Sequence, residues 1–164
     1  MLHKEGIIGN FENDIKQHEL LIHKVCRMYA RLPDDRKDLF QEIVIQLWKA
    51  YPGFRGDAKL STWMYRVSLN TAITHLRRQR TGAGAELLHI DAIHEIPDQQ
   101  EDARWQEMFT AIEQLNHIEK AIVMLYLEER PYNEIEEIIG ISAGAIRVKM
   151  SRIKKKLRLL IKNN

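Results

Sequence analysis
Three groups of side chains in this 164-residue chain have the types and spacing to do chemistry. Asp38, Gln41 and Glu42 recur at three and four residues. On a helix that spacing gathers two carboxylates and an amide into one outward patch, suited to a partner's donors. A second group, Trp63, Tyr65, Arg66, Asn70, Arg77 and Arg78, interleaves aromatic rings with guanidinium groups. Such rings stack on exposed bases while the arginines hold phosphates. A third group, Arg147, Val148, Ser151, Arg152, Lys154 and Lys155, lies in a run to Lys162 that contains no acid. None of these is a nucleophile-and-base pair, a phosphate loop or a metal set, so no catalytic residue, metal or cofactor is expected. His89 and His94 stand five apart, which is not a helical ligand pair.

Each group also has a plain reading. A polar patch on a helix is commonly a solvated face. Lysines near a helix carboxyl end suit its dipole. Around the second group the apolar pattern runs down two sides. Leu60, Trp63, Met64 and Val67 fall on one, and Tyr65, Leu69, Ala72, Ile73 and Leu76 on the other. Either that helix is sandwiched in a bundle, or an aromatic is left outside for a ligand.

The elements that must position these groups are helical. Phe11, Ile15, His18, Ile22, Val25 and Tyr29 predict an amphipathic helix over about 11–31, widened by Leu21, Met28 and Leu32. Cys26 and His18 sit in or beside that stripe, where core packing outweighs a redox or metal role. Pro33 ends the helix, and Asp34 or Asp35 is placed to cap the next. In that second helix Leu39, Phe40, Ile43, Val44 and Leu47 face inward. A loop from Tyr51 to Lys59 follows, and Ser61 is the expected N-cap of a third helix ending near Arg80. Thr81 to Glu101 reads as a mobile linker in which acids accumulate.

A second helical module begins with Trp105, Met108, Phe109, Ile112 and Leu115. Asn116 and Glu119 form a capping box for a helix carrying Ile118, Ile122 and Leu125. Ile135, Ile138 and Ile139 mark a short helix that Gly140 terminates. Ser142 caps the last helix, whose buried stripe is Ile146, Met150, Ile153, Leu157 and Leu160. Short helix, glycine turn, capping serine and basic helix together have the form of a helix-turn-helix. Arg147, Val148, Ser151, Arg152 and Lys155 then point away from the core, the first of them near the helix start that enters a major groove. Lys154, Lys156 and Arg158 are placed for phosphates.

Composition agrees with a soluble globular chain of 45% hydrophobic and 29% charged residues. The net charge of +2 is too small to announce a nucleic-acid partner, so the asymmetry of the charge carries the signal. A single cysteine excludes an internal disulfide and suits a reducing cytosol. Neither a signal peptide nor a membrane span is expected.

With both modules read, the chain resembles bacterial sigma factors of the extracytoplasmic-function (ECF) group. Asp38-Leu39-Phe40-Gln41-Glu42 is similar to that family's polymerase-docking motif. Phe54-Arg55, then Ser61 through Arg66, Asn70 and His75 through Arg78, is similar to the segment that opens and reads the −10 element. Tyr132 through Ile135, Gly140 through Ser142, Gly144, Ile146 and Arg147 are similar to its −35-reading helix-turn-helix. Pro131 and Val148 depart from the family pattern, which there favours a capping serine and a small polar residue.

The resemblance implies an all-α chain of two small domains. Sigma region 2 is expected over 8–80 and region 4 over 102–162, joined by the linker over 81–101. It implies core RNA polymerase and promoter DNA as partners, an anti-sigma factor as a further one, and a cytoplasmic location without membrane insertion. Asp38, Gln41, Glu42, Ile45 and Trp48 would meet the polymerase. Phe54, Arg55, Lys59, Trp63, Tyr65, Arg66, Asn70, Arg77 and Arg78 would meet the −10 region. Ser142, Arg147, Val148, Ser151, Arg152, Lys154 and Lys155 would meet the −35 region. A helix-turn-helix repressor would use the last helix alike but would leave the Asp38 patch without a purpose. A purely helical interaction module would ignore DNA.

Overall fold
The computed structural model describes residues 2–81 and 103–162. The expected linker falls almost wholly outside the described residues, as do His89 and His94. The chain divides into two compact units, Met1–Thr81 and Gly82–Asn164. Every element of the described residues is helical.

The first unit contains α1 (Leu2–Tyr29), α2 (Pro33–Ala50), a 3-10 turn (Tyr51–Gly53) and α3 (Leu60–Thr81). Each of the three α-helices packs on the other two. Ile22, Val25, Leu39, Ile43 and Leu47 have no exposed surface and form the centre. Burying each such side chain stabilises the unit by roughly 1.5–3 kcal/mol. Leu32 does not widen the α1 stripe. It lies beyond the helix, is exposed, and serves as the extended N-cap residue of α2. Pro33 begins α2 at its first turn, where its missing N–H costs nothing. Asp34 and Asp35 are therefore first-turn acids that complement the helix dipole, not caps. Arg36 reaches back to the carbonyls of Ala30 and Arg31, both at 3.0 Å, and so closes the end of α1.

Ser61 is likewise inside the first turn of α3, because the Trp63 amide already donates to the Lys59 carbonyl at 3.1 Å. The two apolar sides of α3 have one explanation. Met64, Tyr65, Leu69 and Ala72 are all buried, so α3 is sandwiched over much of its circumference.

Cys26 is 1% exposed, and burial pushes its thiol up to about 11, against the opposing pull of the Arg36 guanidinium. The thiolate is the nucleophile, so alkylation at pH 8 is expected to be slow in the native protein and fast in urea. Burial raises the Tyr29 phenol too. Both groups ionise more readily once unfolded. Their contribution is complete below the ordinary thiol range and is lost as pH climbs toward 11. Thermal melts from pH 8 to 11 should show a falling midpoint.

The second unit contains α4 (Ala103–Glu113), α5 (His117–Leu127), α6 (Tyr132–Ile139) and α7 (Ala143–Lys162). Residues 121–125 of α5 are consecutively buried, so α5 is the axis of this unit. The capping box is complete. Asn116 Oδ1 accepts the Glu119 amide at 2.9 Å, and Glu119 Oε2 accepts the Asn116 amide at 3.0 Å. Ile112 and Leu115 of the expected stripe are buried, whereas Phe109 is exposed. Gly140 closes α6 at φ 79°, with its amide on the Glu136 carbonyl at 2.8 Å. A Cβ there would meet no neighbour, so the left-handed backbone, not space, calls for glycine.

Candidate nucleic-acid and partner interfaces
On α2, Asp38, Gln41, Ile45 and Trp48 advance by three, four and three residues and form one exposed stripe. Ile45 is 50% and Trp48 41% exposed, large for apolar side chains beside a well-formed core. An acid and an amide at one end and apolar groups at the other are the composition of a docking surface. Trp48 is braced from behind by the edge of Phe11, with ring centroids 5.1 Å apart.

Glu42 does not share that stripe. Its carboxylate turns to α3, where Oε2 accepts from His75 Nδ1 at 2.7 Å and Oε1 from Arg78 at 3.4 Å. Its side chain keeps 26% of its surface, whereas Asp38 and Gln41 are exposed. The outward patch expected of three polar groups is a pair, and the third ties two helices.

The loop between α2 and α3 is shaped by aromatic packing. Phe54 lies against Trp63 at 5.1 Å, and Tyr51 touches both Trp63 (6.3 Å) and Phe11 (5.1 Å). Tyr51 Oη donates to Asp14 Oδ2 at 2.5 Å. That hydrogen bond, with burial and the carboxylate's charge, pushes the phenol up to about 12. Gly56 turns the chain at φ 79°, leaving Arg55, Asp57 and Lys59 exposed. Arg66, Asn70 and Arg77 are exposed along one face of α3, with half-buried Trp63 at its edge. Tyr65 is the correction here. It is 1% exposed and points into the bundle, so it cannot offer its ring to a base.

In the second unit the start of α7 is held from two directions. Ser142 Oγ accepts the Ala145 amide at 3.3 Å, the expected cap. Glu136 on α6 reaches across the turn, and its Oε2 accepts the Ala143 amide at 3.0 Å. Ile146, Met150, Ile153 and Leu157 are buried as the stripe requires, and Arg147, Val148, Ser151, Arg152 and Lys155 are exposed. The Arg147 guanidinium lies over the Tyr132 ring, 5.2 Å from its centroid. Lys154 departs from its expected role. Its ammonium donates to Tyr126 Oη at 3.0 Å and sits over that ring, so it braces α7 against α5. Lys156 does likewise through Glu119 at 3.3 Å.

Sequence reasoning did not single out Glu136, and it met Tyr132 and His75 only as members of family motifs, without their partners. Their partners are distant in the chain or across a turn, and spacing along one helix carries no trace of them. Among the described residues no cluster of three His, Cys, Asp or Glu side chains could hold a metal. No described helix is long and apolar enough to cross a membrane.

Known proteins bear on this arrangement. The family model for Sigma-70 region 2 matches residues 15–81, and that for Sigma-70, region 4 matches residues 105–157. The ECF RNA polymerase sigma-E factor of Escherichia coli K12 is 31% identical over 162 residues, covering 86% of this chain and 84% of that protein. ECF sigma factor SigM of Mycobacterium tuberculosis is 22% identical, covering 97% and 81%. SigG of the same organism is 42% identical over 73 residues, which span 42% of this chain and only 19% of SigG. Among solved structures, the sigma factor RpoE of Bartonella quintana, crystallised with the anti-sigma factor NepR, superposes with a TM-score of 0.77 at 19% identity. That match covers 93% of this chain and 97% of RpoE, and establishes likeness of fold. With two sigma-70 regions in order and a full-length relative above 30% identity, the chain belongs to the ECF group of sigma-70 family RNA polymerase sigma factors.

Proposed function
We propose that this chain is a specificity subunit that binds core RNA polymerase and directs it to a class of promoters. The observation that carries the reading is the exposed stripe of Asp38, Gln41, Ile45 and Trp48 in the same chain as the acid-free outer face of α7. A repressor needs only the second. The stripe docks on the polymerase. Arg147, Val148, Ser151 and Arg152 read duplex in the −35 region, with Ser142 setting the helix start and Lys155 adding charge. Phe54, Arg55 and Lys59 receive a base freed from the −10 region. Trp63, Arg66, Asn70, Arg77 and Arg78 support the opened strand. The bond chemistry belongs to the polymerase, and the site of action is the cytoplasm.

Energies set the division of labour. Opening one duplex step costs about 1.4 kcal/mol, and stacking a freed base returns ~1–3 kcal/mol. One captured base therefore offsets its own opening and little more. Melting several pairs requires the polymerase, so the isolated chain binds promoter DNA weakly and leaves it closed. An anti-sigma factor is a further partner, since the sigma factor RpoE of similar fold was crystallised with one.

The test is transcription from a promoter library by core polymerase with and without this chain. Selection of start sites sharing two spaced elements is expected. No selection on any template, with no association in gel filtration, would refute the reading.

A further inference from the structure
We propose that Glu42 is a positioning residue. It fixes the rotation of α3, and with it the DNA-facing side chains, and it is not itself a polymerase contact. This rests on the docking and strand-holding roles proposed above.

Three observations carry it. First, both carboxylate oxygens of Glu42 are engaged by α3, on His75 and on Arg78. Second, His75 is itself held. With the proton on Nδ1, its Nε2 accepts from Gln79 Nε2 at 3.0 Å, so the ring has one orientation toward Glu42. Third, His75 and the DNA face lie on opposite sides of the same helix, with Arg78, bonded to Glu42, between them. Arg66, Asn70 and Arg77 project roughly half a turn around α3 from His75. Met64 to Ala72 seat the first part of α3 in the core, whereas Ile73 and Leu76 near its carboxyl end are only half-buried, which leaves that end more freedom. A short, charge-assisted bond at one end removes that freedom.

The docking stripe and the strand-holding face are thus joined by one carboxylate in addition to the core packing of α2 on α3. That gives a reason for an acid at 42 which differs from the reason for an acid at 38. Asp38 is exposed for a partner, whereas Glu42 is committed within the fold.

The experiment compares Glu42→Gln, His75→Leu, His75→Asn and Asp38→Arg in the full chain. Affinity for core polymerase is measured by fluorescence anisotropy. Promoter opening is read by permanganate reactivity in the assembled complex. Circular dichroism at the assay temperature confirms equal folded fractions. Glu42→Gln and His75→Leu should keep polymerase affinity within about twofold and lower opening about tenfold, the cost of one charge-assisted bond. His75→Asn places an amide donor near the Nδ1 position and should restore opening. The Glu42→Gln, His75→Leu double variant should be no worse than either single one. Loss of polymerase affinity in Glu42→Gln comparable to that in Asp38→Arg would overturn the proposal, as would unchanged opening. Glu42→Gln is isosteric and decides the matter alone where His75→Leu does not fold. Asp38→Arg with normal polymerase binding would instead defeat the docking reading, and leaves the effect of Glu42 on opening to be judged separately.

Discussion

Asp38→Arg should weaken binding to core polymerase by about two orders of magnitude. The residue is exposed at the head of the stripe that ends in Trp48. Replacing it alters stability little, since exposed substitutions stay within about 0.5 kcal/mol. The loss comes at the interface. A carboxylate that pairs with a donor becomes a cation facing that donor, in a surface that Ile45 and Trp48 help to dry. Trp48→Ala should show a smaller but similar loss. Part of its effect will come from Phe11, whose ring it covers. Anisotropy titrations at two salt concentrations separate these cases. The Asp38 effect shrinks as salt rises, and the Trp48 effect does not. The fragment carrying α4 to α7 has no part in the stripe, so duplex −35 DNA should bind Asp38→Arg and the parent chain equally.

What the sequence reveals and conceals follows from the range of the interactions. Helix existence was legible because the apolar stripes of α1, α2 and α7 repeat along the chain, and burial of Ile22, Leu39 and Ile153 obeys that repeat. The capping box at Asn116 and the left-handed Gly140 were legible because each is a local motif with a local cause. Helix starts were harder. At Ser61 and Asp34 the expected cap residue lies within the helix: Leu32 supplies the extended backbone before α2 without a side-chain bond, and the Lys59 carbonyl already accepts the Trp63 amide.

The candidate site divides the same way. Exposure of Arg66, Asn70, Arg147 and Arg152 follows from being opposite a stripe. Tyr65 defeats that reasoning, since α3 has two apolar sides and only the packing of both neighbours decides that its ring goes inward. Glu42 defeats it too. Helical spacing places it beside Asp38, but the direction of its carboxylate is set by His75, 33 residues further on. The resemblance to a family supplied positions and could not supply these orientations.

Arg147→Ala should lower affinity for −35 duplex by roughly ten- to a hundredfold, since one bidentate contact to a base is worth about 1–3 kcal/mol. The structure gives the reason for choosing this arginine over its neighbours. It lies one turn into α7, whose first amides are fixed by Ser142 and by Glu136, so its Cα has little positional freedom. The Tyr132 ring beneath the guanidinium limits the rotamers as well. A fork held in advance loses less entropy on meeting a guanine edge than a free one. Arg147→Lys then discriminates between two kinds of contact. Lysine keeps the charge but not the fork. If Arg147 reads a base, Arg147→Lys loses sequence preference while the slope of log affinity against log salt stays unchanged. If it only meets phosphate, Arg147→Lys binds normally. Lys155→Ala should behave in the opposite sense, lowering that slope by about 0.9 and weakening all sequences alike. Lys154→Ala should lower the slope by less, because its ammonium, though still charged, is held over Tyr126. Val148 is 53% exposed among these cations, and if its methyl groups meet a thymine methyl, the preference lost with Val148→Ser should fall on a single A·T position. A slope that dropped equally for Arg147→Ala, Lys154→Ala and Lys155→Ala, with Arg147→Lys binding as the parent chain does, would mean that α7 reads charge alone.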